Sequence, residues 1–529
     1  MHKTRLLKGT RLLTGIGLIC AFLEVIYRIG LQNMAGADGM AYLQPSHVVY
    51  MLMWLIGTVG LPMPIAHMVS SRIAKGDRRG AQSIFLIAVI AIGAIGLVMS
   101  ALVWGLSKTL ASEVGLRDAW VLLQWTAPCF LLYGIIGAFR GYFQGVSLTI
   151  LSNASMLLDQ LIRVIVAMLM VSIWKNKEMI DQLSGAVIGM NVGAVAAVLM
   201  LGTLYLLGVD QMQSMETILV QTKIKSKGKI AARILKKSSM TVIGMGFFAF
   251  CLLFDTCMSM NRFAPQSEAE TLSAVTKYGL YNGMAMPVVF FGIVLAVVFF
   301  FAASARLHRT PPKFHQQTVR VLSDALLKKM LLFGSIGAVL LWVLPDGIMH
   351  LIYMAGADEN EMALLVSIIR ILSLTAFFAP LAQAALMMMQ EIGYEIVAIV
   401  LTVFAVLLKV LIFYIVTPLV YEPILGIAFS TTISFAALGV LSLVYLVQAA
   451  KTEMYISRLL PKIVLSAAGA GVVVYFTNRF LLSKMLGLTG GTIVALLLGI
   501  ILYLLFNVLM NVIRIQDFLP TQKEQTTEA

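Results

Sequence analysis

The feature that most constrains this chain is a succession of apolar blocks, each about as long as a bilayer is thick. A helix that spans a membrane needs about 20 mostly apolar residues. Fourteen such blocks follow one another, at about 12–32, 48–69, 81–106, 119–137, 150–173, 183–208, 239–259, 276–303, 330–353, 363–388, 395–416, 424–447, 460–482 and 486–510. Barrel strands are shorter and alternate in polarity, so the blocks read as helices. The expectation is an all-α polytopic membrane protein with about fourteen transmembrane helices. The first block continues through Tyr27-Arg28 with no small-residue cleavage site, so it reads as a retained helix rather than a signal peptide.

Composition agrees. Hydrophobic residues make up 60% of the chain and charged residues 12%, whereas soluble domains carry about a quarter charged residues. The net charge of +14 raises nucleic acid as a partner, but the distribution of charge argues against it. With the N-terminus in the cytoplasm, most Lys and Arg fall on cytoplasmic segments and the external segments are net acidic. That is the positive-inside bias of a polytopic protein. Both termini are then cytoplasmic, and the basic segments attract anionic membrane lipids. Cys20, Cys129, Cys251 and Cys257 all fall inside apolar blocks and read as small packing residues. The sequence has no Walker-type loop, HExxH or nucleophile elbow. We therefore expect no enzyme, no catalytic residue, no metal and no cofactor. Any driving force would be a proton or sodium gradient, the membrane potential or the substrate gradient.

The longest cytoplasmic segment, about 209–238, is rich in Lys and Arg and separates six blocks from eight. The expected organisation is an N-terminal six-helix lobe (1–208), a basic linker (209–238), a second six-helix lobe (239–448), two additional helices (449–510) and a tail (511–529). One internal echo fits that register. Gln144 and Arg163 are separated as Gln390 and Lys409 are, and each cation lies in a similar setting, "LIRV" and "LLKV". The matched blocks are the fifth and the eleventh, six apart. Repeated lobes of this kind place a cavity between them near the bilayer midplane.

Charges inside the blocks are the candidate functional residues, because a charge at the bilayer centre costs about 3 kcal/mol or more. They are Glu24, Arg28, Asp159, Arg163, Asp255, Arg370 and Lys409. Glu24 and Arg28 are one helical turn apart, as are Asp159 and Arg163, with the acid first in both, the favourable order for a same-face pair. Gln160 adjoins the second pair. Such pairs either neutralise themselves within a lobe or line a hydrated cavity that meets a charged substrate. In the second case Arg28 and Arg163 grip phosphate through their planar forks, and Glu24 and Asp159 tune them or carry a coupling ion. Asp255, near the expected external end of its block, reads as a solvated end or a cation site. Arg370, in the outer third of its block, reads as a snorkelling end or a substrate contact. Lys409 sits mid-block with no acid nearby in sequence and reads as a candidate cavity residue that contacts substrate. "GTVGLPMPIAHM" holds Gly57, Gly60, Pro62 and Pro64, which reads as a hinge or a packing bend.

Three stretches carry a family resemblance: "LLKGTRLLTGIGLICAFLEVIYRIGL", "GTVGLPMPIAHMVSSRIAKGDRRGA" and "FRGYFQGVSLTILSNASMLLDQLIRV". They resemble the polysaccharide-exporter branch of the multidrug/oligosaccharidyl-lipid/polysaccharide flippase superfamily, near the stage V sporulation protein B and MurJ-related lipid II flippases. The resemblance is sharpest over residues 1–170. Gly30 stands where the family pattern has a proline, "SLTILSN" lacks the proline usual before the fifth helix, and Asp159 replaces the usual Glu. The resemblance implies a flippase in a bacterial cytoplasmic membrane that carries an undecaprenyl-linked sugar precursor outward by alternating access. Lipid II for peptidoglycan is the first candidate cargo, and cell-wall synthesis machinery a candidate partner. It also implies that Arg28 and Arg163 form part of a cationic cavity. The alternatives are an exporter of another lipid-linked polysaccharide unit, a cation-coupled multidrug exporter of the same fold, or a non-transporting scaffold. An exporter of organic cations predicts an acidic cavity.

Overall fold

The computed structural model describes residues 2–208, 226–262, 268–307, 314–353, 359–452 and 456–513. The described residues form helices throughout. In chain order these are α1 (His2–Leu55), α2 (Pro62–Ile73), α3 (Arg78–Val114), α4 (Trp120–Thr126), α5 (Cys129–Gly145), α6 (Thr149–Ile173), α7 (Met179–Leu206), α8 (Lys227–Met245) and α9 (Phe247–Arg262). Then come α10 (Glu268–Gly279), α11 (Met286–Leu307), α12 (His315–Val343), α13 (Pro345–Ile352), α14 (Glu359–Glu391), α15 (Glu395–Val416), α16 (Pro423–Ala449), α17 (Ile456–Thr477) and α18 (Ser483–Leu509).

Among the described residues, eleven helical stretches are long and apolar enough to cross a membrane, or twelve if α8 and α9, bent by 73° at Gly246, form one span. Two of these stretches exceed a single crossing. Gly15–Ile73 has 59 residues and Arg458–Leu509 has 52, about 88 and 78 Å of straight helix against about 30 Å of hydrocarbon. Each contains one glycine in a backbone region that side chains avoid: Gly36 (φ 68°, ψ −174°) and Gly487 (φ 71°, ψ 178°). The chain reverses there. Arg28 touches His47 although they are 19 residues apart in sequence, which is about 28 Å along a straight helix. Around the second glycine, a Cβ on Gly499 would lie 3.1 Å from Val474. Both contacts require a hairpin, and dividing the stretches at the two glycines, with α8 and α9 taken as one span, gives one segment for each of the fourteen apolar blocks.

The supposed linker is partly helical. α8 begins at Lys227, so residues 227–238 belong to a helix. Its buried Ile230 and Ile234 are one turn apart, and Lys229, Arg233 and Lys236 occupy the exposed side, a pattern that stabilises an amphipathic helix. Residues 209–225 and the tail from 514 lie outside the described residues.

One apolar core joins α1 to α5, α6 and α7, with Tyr27, Tyr50, Tyr133 and Met190 buried in it. A larger core gathers α8, α9 and α11 to α18 and also takes in Ala37, Val48 and Val59. Glycines at one-turn spacing bring α7 onto α6. A Cβ on Gly185, Gly189 or Gly193 would meet α6 at 2.7, 2.7 and 2.5 Å respectively, the small-residue packing that lets membrane helices approach closely.

Three π-turns interrupt the described helices, and two of them, Ile56–Gly60 before α2 and Leu280–Ala285 before α11, lie in the second helix of each half; the third is Asn478–Leu482 before α18. A proline follows the first two, Pro62 and Pro287. Of the candidate hinge residues, Gly57 and Gly60 lie in the first π-turn, Pro62 opens α2 and Pro64 follows it. Both glycines are also close contacts: a Cβ on Gly57 would lie 2.7 Å from the Tyr133 carbonyl oxygen, and one on Gly60 2.4 Å from Val242.

Gly36→Ala should lower the unfolding free energy by about 1–3 kcal/mol, because alanine is strained at this φ and ψ. A thermal melt in detergent, followed by fluorescence-detected size exclusion, reads this as a lower midpoint than wild type.

Candidate functional site

The charges of the first half converge. Glu24 and Arg28 sit on the same face of α1, with Arg28 Nε 3.4 Å from Glu24 Oε1, so the expected one-turn pair forms. The other carboxylate oxygen accepts hydrogen bonds from Arg163 Nη2 and, at 2.8 Å, from Gln160 Nε2. One carboxylate thus serves two guanidiniums and an amide. Arg163 is fully buried, with its guanidinium carbon 4.3 Å from the centre of the Tyr27 ring and 4.9 Å from that of Tyr50. Aromatic faces stabilise a cation so placed by about 2 kcal/mol when water is excluded. Beyond Arg28 lies His47, whose Nε2 contacts Arg28 Nη2. A guanidinium only donates hydrogen bonds, so this ring nitrogen accepts and the imidazole is neutral in this arrangement.

Asp159 and Arg163 do not form the expected pair. Asp159 accepts from the Tyr133 hydroxyl at 3.0 and 3.1 Å and faces Arg140 Nη2 at 3.6 Å. Arg140 is held in turn by Ser155 and Thr58, each at 3.1 Å. One turn of helix puts two side chains on the same face, but neighbouring helices decide which partner each one meets. Arg140 is the residue that sequence reasoning missed. It falls just past the end of the expected fourth span, which made it look like a loop cation, yet α5 runs on to Gly145 and buries it.

The second half holds its own pair. Lys409 Nζ lies 2.9 Å from Asp255 Oδ1, with both residues buried. Tyr281 contacts both Asp255 and the Thr431 hydroxyl, at 3.3 and 2.8 Å, and Lys409 also donates to that hydroxyl. Asp255 is therefore not a solvated helix end, and Lys409 finds in space the acid that it lacks in sequence. Arg370 stands apart, exposed on α14.

Between the halves lies a cavity of about 580 Å³. Its polar lining includes Glu24, Arg28, Gln160, Asn282 and Gln383. Of the predicted substrate residues, Glu24, Arg28 and Gln160 line it. Asp159 and Arg163 are buried behind that wall, and Lys409 and Arg370 belong to other places. Most of the remaining lining is apolar, and it includes Leu18, Phe22 and Phe291, which are 41%, 64% and 40% exposed. The apolar wall is thus continuous with the lipid-facing surface. At the far end, contacts between the halves close the cavity. Thr276 donates to Asp38 at 2.6 Å and Asn33 to the Ile352 carbonyl at 3.4 Å.

The model of a family described as polysaccharide biosynthesis protein matches residues 6–304. The chain belongs to that family. Stage V sporulation protein B of Bacillus subtilis (strain 168) is 23% identical over 362 residues, covering 67% of this chain and 68% of that protein. Lipid II flippase MurJ of the same organism is 26% identical over 172 residues, 31% of each chain. Among solved structures, the inward closed conformation of lipid II flippase MurJ superposes with a TM-score of 0.63 at 14% identity, covering 94% of this chain and 98% of that one. An inward-facing multidrug resistance MATE transporter of the MOP superfamily gives 0.61 at 14% identity, covering 83% and 100%. The chain thus shares its fold with lipid II flippase MurJ and with MATE transporters, and its long apolar helices are those of a multi-pass membrane protein.

A double-mutant cycle should rank the couplings by space rather than by sequence. Asp159→Asn with Arg140→Gln should couple by about 1–3 kcal/mol, well above Asp159→Asn with Arg163→Gln. In the second half, Lys409→Met alone should destabilise by about 3–5 kcal/mol, since it leaves Asp255 buried and unpaired. Adding Asp255→Asn should restore most of that loss, read by the same melt.

Proposed function

We propose that this chain moves an undecaprenyl-linked sugar precursor from the inner to the outer leaflet of a bacterial cytoplasmic membrane, with both termini in the cytoplasm. Lipid II is the first candidate cargo, since lipid II flippase MurJ is among its relatives. The observation that carries the reading is the charge at the cavity wall. Two arginines share one glutamate there, so that cluster keeps one formal positive charge, and Asp159–Arg140 and Asp255–Lys409 are neutral pairs. A site with this balance attracts a diphosphate and repels an organic cation, which disfavours multidrug export.

Arg28 is the residue placed to bind. Phosphate oxygens compete with Glu24 and His47 for its fork, a bidentate match that suits arginine. Arg163 acts as a positioning residue. It fixes Glu24 from behind and does not itself reach the cargo while Tyr27 and Tyr50 enclose it. The prenyl tail stays in lipid alongside Leu18, Phe22 and Phe291, where the cavity is apolar and open to the bilayer. At about 580 Å³ the cavity has the size of a small-molecule site, so a whole glycan headgroup enters only as the halves rock apart. Rocking outward breaks the Thr276–Asp38 and Asn33–Ile352 contacts and bends the chain at the irregular turn that holds Gly57, Gly60 and Pro62. A proton on Glu24 would release both arginines together, which makes Glu24 the first candidate for ion coupling, ahead of Asp159 and Asp255. Cell-wall synthesis enzymes that consume the exported precursor are the expected partners.

The test is leaflet accessibility. Cells depleted of the protein, and lacking any other lipid II flippase, are probed from outside with an enzyme that cleaves only outward-facing lipid II. Depletion should abolish cleavage and wild type should restore it. Arg28→Ala should restore less than a tenth of it, and His47→Lys, which sets a second cation beside Arg28, should fail similarly while His47→Gln largely succeeds. Undiminished cleavage after depletion would reject lipid II as the cargo. Full rescue by Arg28→Ala would reject the cationic cavity.

A further inference from the structure

A second groove lies on the membrane-facing side of the molecule, away from the cavity between the halves. It has a volume of about 630 Å³ and is formed where α12, α14 and α17 meet. Its walls include Trp342, Leu374, Val472, Tyr475 and Phe476, which are 57%, 52%, 56%, 39% and 53% exposed. Arg370 is the only charged residue in its lining. Unlike Arg28, Arg140 and Arg163, Arg370 has no side-chain hydrogen bond or ion pair among the described residues. Its turn is fixed instead through the backbone, with Ser373 Oγ donating to the Arg370 carbonyl at 2.7 Å.

The depth of Arg370 says what it meets. α14 has 33 residues, about 50 Å of helix at 1.5 Å per residue. Arg370 lies about 17 Å from its start, and a centred helix therefore puts its Cα about 7 Å inside the hydrocarbon boundary. That is within reach of an extended arginine side chain, so the guanidinium sits at the level of lipid phosphates. By the charge rule Glu359 is at the external end, which makes this the outer leaflet. Trp342 and Tyr475 suit the same level, where aromatic side chains are enriched. Below them the groove is apolar and open to acyl chains.

We propose that this groove binds an anionic phospholipid of the outer leaflet, with Arg370 holding its phosphate and the apolar walls holding one acyl chain. The site is separate from the transport cavity and does not depend on the identity of the cargo. α17 belongs to the pair of helices beyond the first twelve, so this pair gives the transporter a lipid-binding edge. Arg370 is thereby reassigned from the cargo to a bilayer lipid.

The experiment is native mass spectrometry of the full-length protein, released from vesicles of equal phosphatidylglycerol and phosphatidylcholine. Wild type should retain phosphatidylglycerol with about a tenfold preference over phosphatidylcholine. Arg370→Gln should lower that preference at least fivefold and Arg370→Lys should keep part of it. Ala468→Trp, which fills the groove from an exposed position, should lose the retained lipid altogether while Arg370 remains. Arg28→Ala should retain lipid like wild type, which separates this site from the cavity. Unchanged preference in Arg370→Gln, or unchanged retention in Ala468→Trp, would overturn the proposal. So would displacement of the lipid by stoichiometric lipid II in wild type but not in Arg370→Gln, since the groove would then belong to the cargo.

Discussion

One carboxylate fixes the centre of the first half. Glu24 takes hydrogen bonds or ionic contacts from Arg163, Arg28 and Gln160, and so ties the first helical arm of the chain to α6. Without it, two guanidiniums would face each other in a region with little water, at a cost of several kcal/mol. The surrounding structure follows from satisfying that cluster. Tyr27 and Tyr50 enclose the inner arginine, His47 returns across the hairpin to the outer one, and glycines on α7 allow the close packing that seals α6 from behind. What remains open is the side of Glu24 and Arg28 that faces the cavity.

The second half repeats the arrangement with different residues. An acid on its first helix, Asp255, meets a cation on its fifth, Lys409, as Glu24 meets Arg163. A tyrosine stands beside each cation or its acid, Tyr50 in the first case and Tyr281 in the second. Each half also interrupts its second helix with a π-turn and follows it with a proline. The halves nevertheless differ in charge. The first cluster keeps an excess positive charge at the cavity wall, whereas the second is a neutral buried pair. The unbalanced charge thus lies in the first half, and the second pair joins α9 to α15.

Buried ion pairs of this kind contribute little net stability, because desolvation offsets most of their attraction. They contribute specificity of packing instead. A helix that slid by one turn would strand an arginine or a carboxylate in hydrocarbon. The same reasoning explains the two hairpins, where Gly36 and Gly487 adopt backbone angles that other residues resist. A reversal within a long apolar stretch has few polar loop residues to signal it, and a single glycine marks the place.

Much of this is legible in the residues alone. The apolar blocks carried the all-helical membrane class, since twenty apolar residues in a row have few stable alternatives to a membrane helix. Six of the seven intramembrane charges marked where helices face one another, Arg370 being the exception, and the Gln–cation echo linked α6, which carries Arg163, to α15, which carries Lys409. Tertiary structure alone decided the partners. Asp159 chose Arg140 over the arginine one turn away, Arg163 chose Glu24, and Lys409 found Asp255, because a buried charge pairs with whatever the neighbouring helix brings within about 3 Å. It also decided which charges face the cavity, leaving Arg28 at the wall, Arg163 behind it and Arg370 on the lipid side. Sequence sets the cost of placing a charge in the membrane, and only the packing of helices determines where that cost is offset.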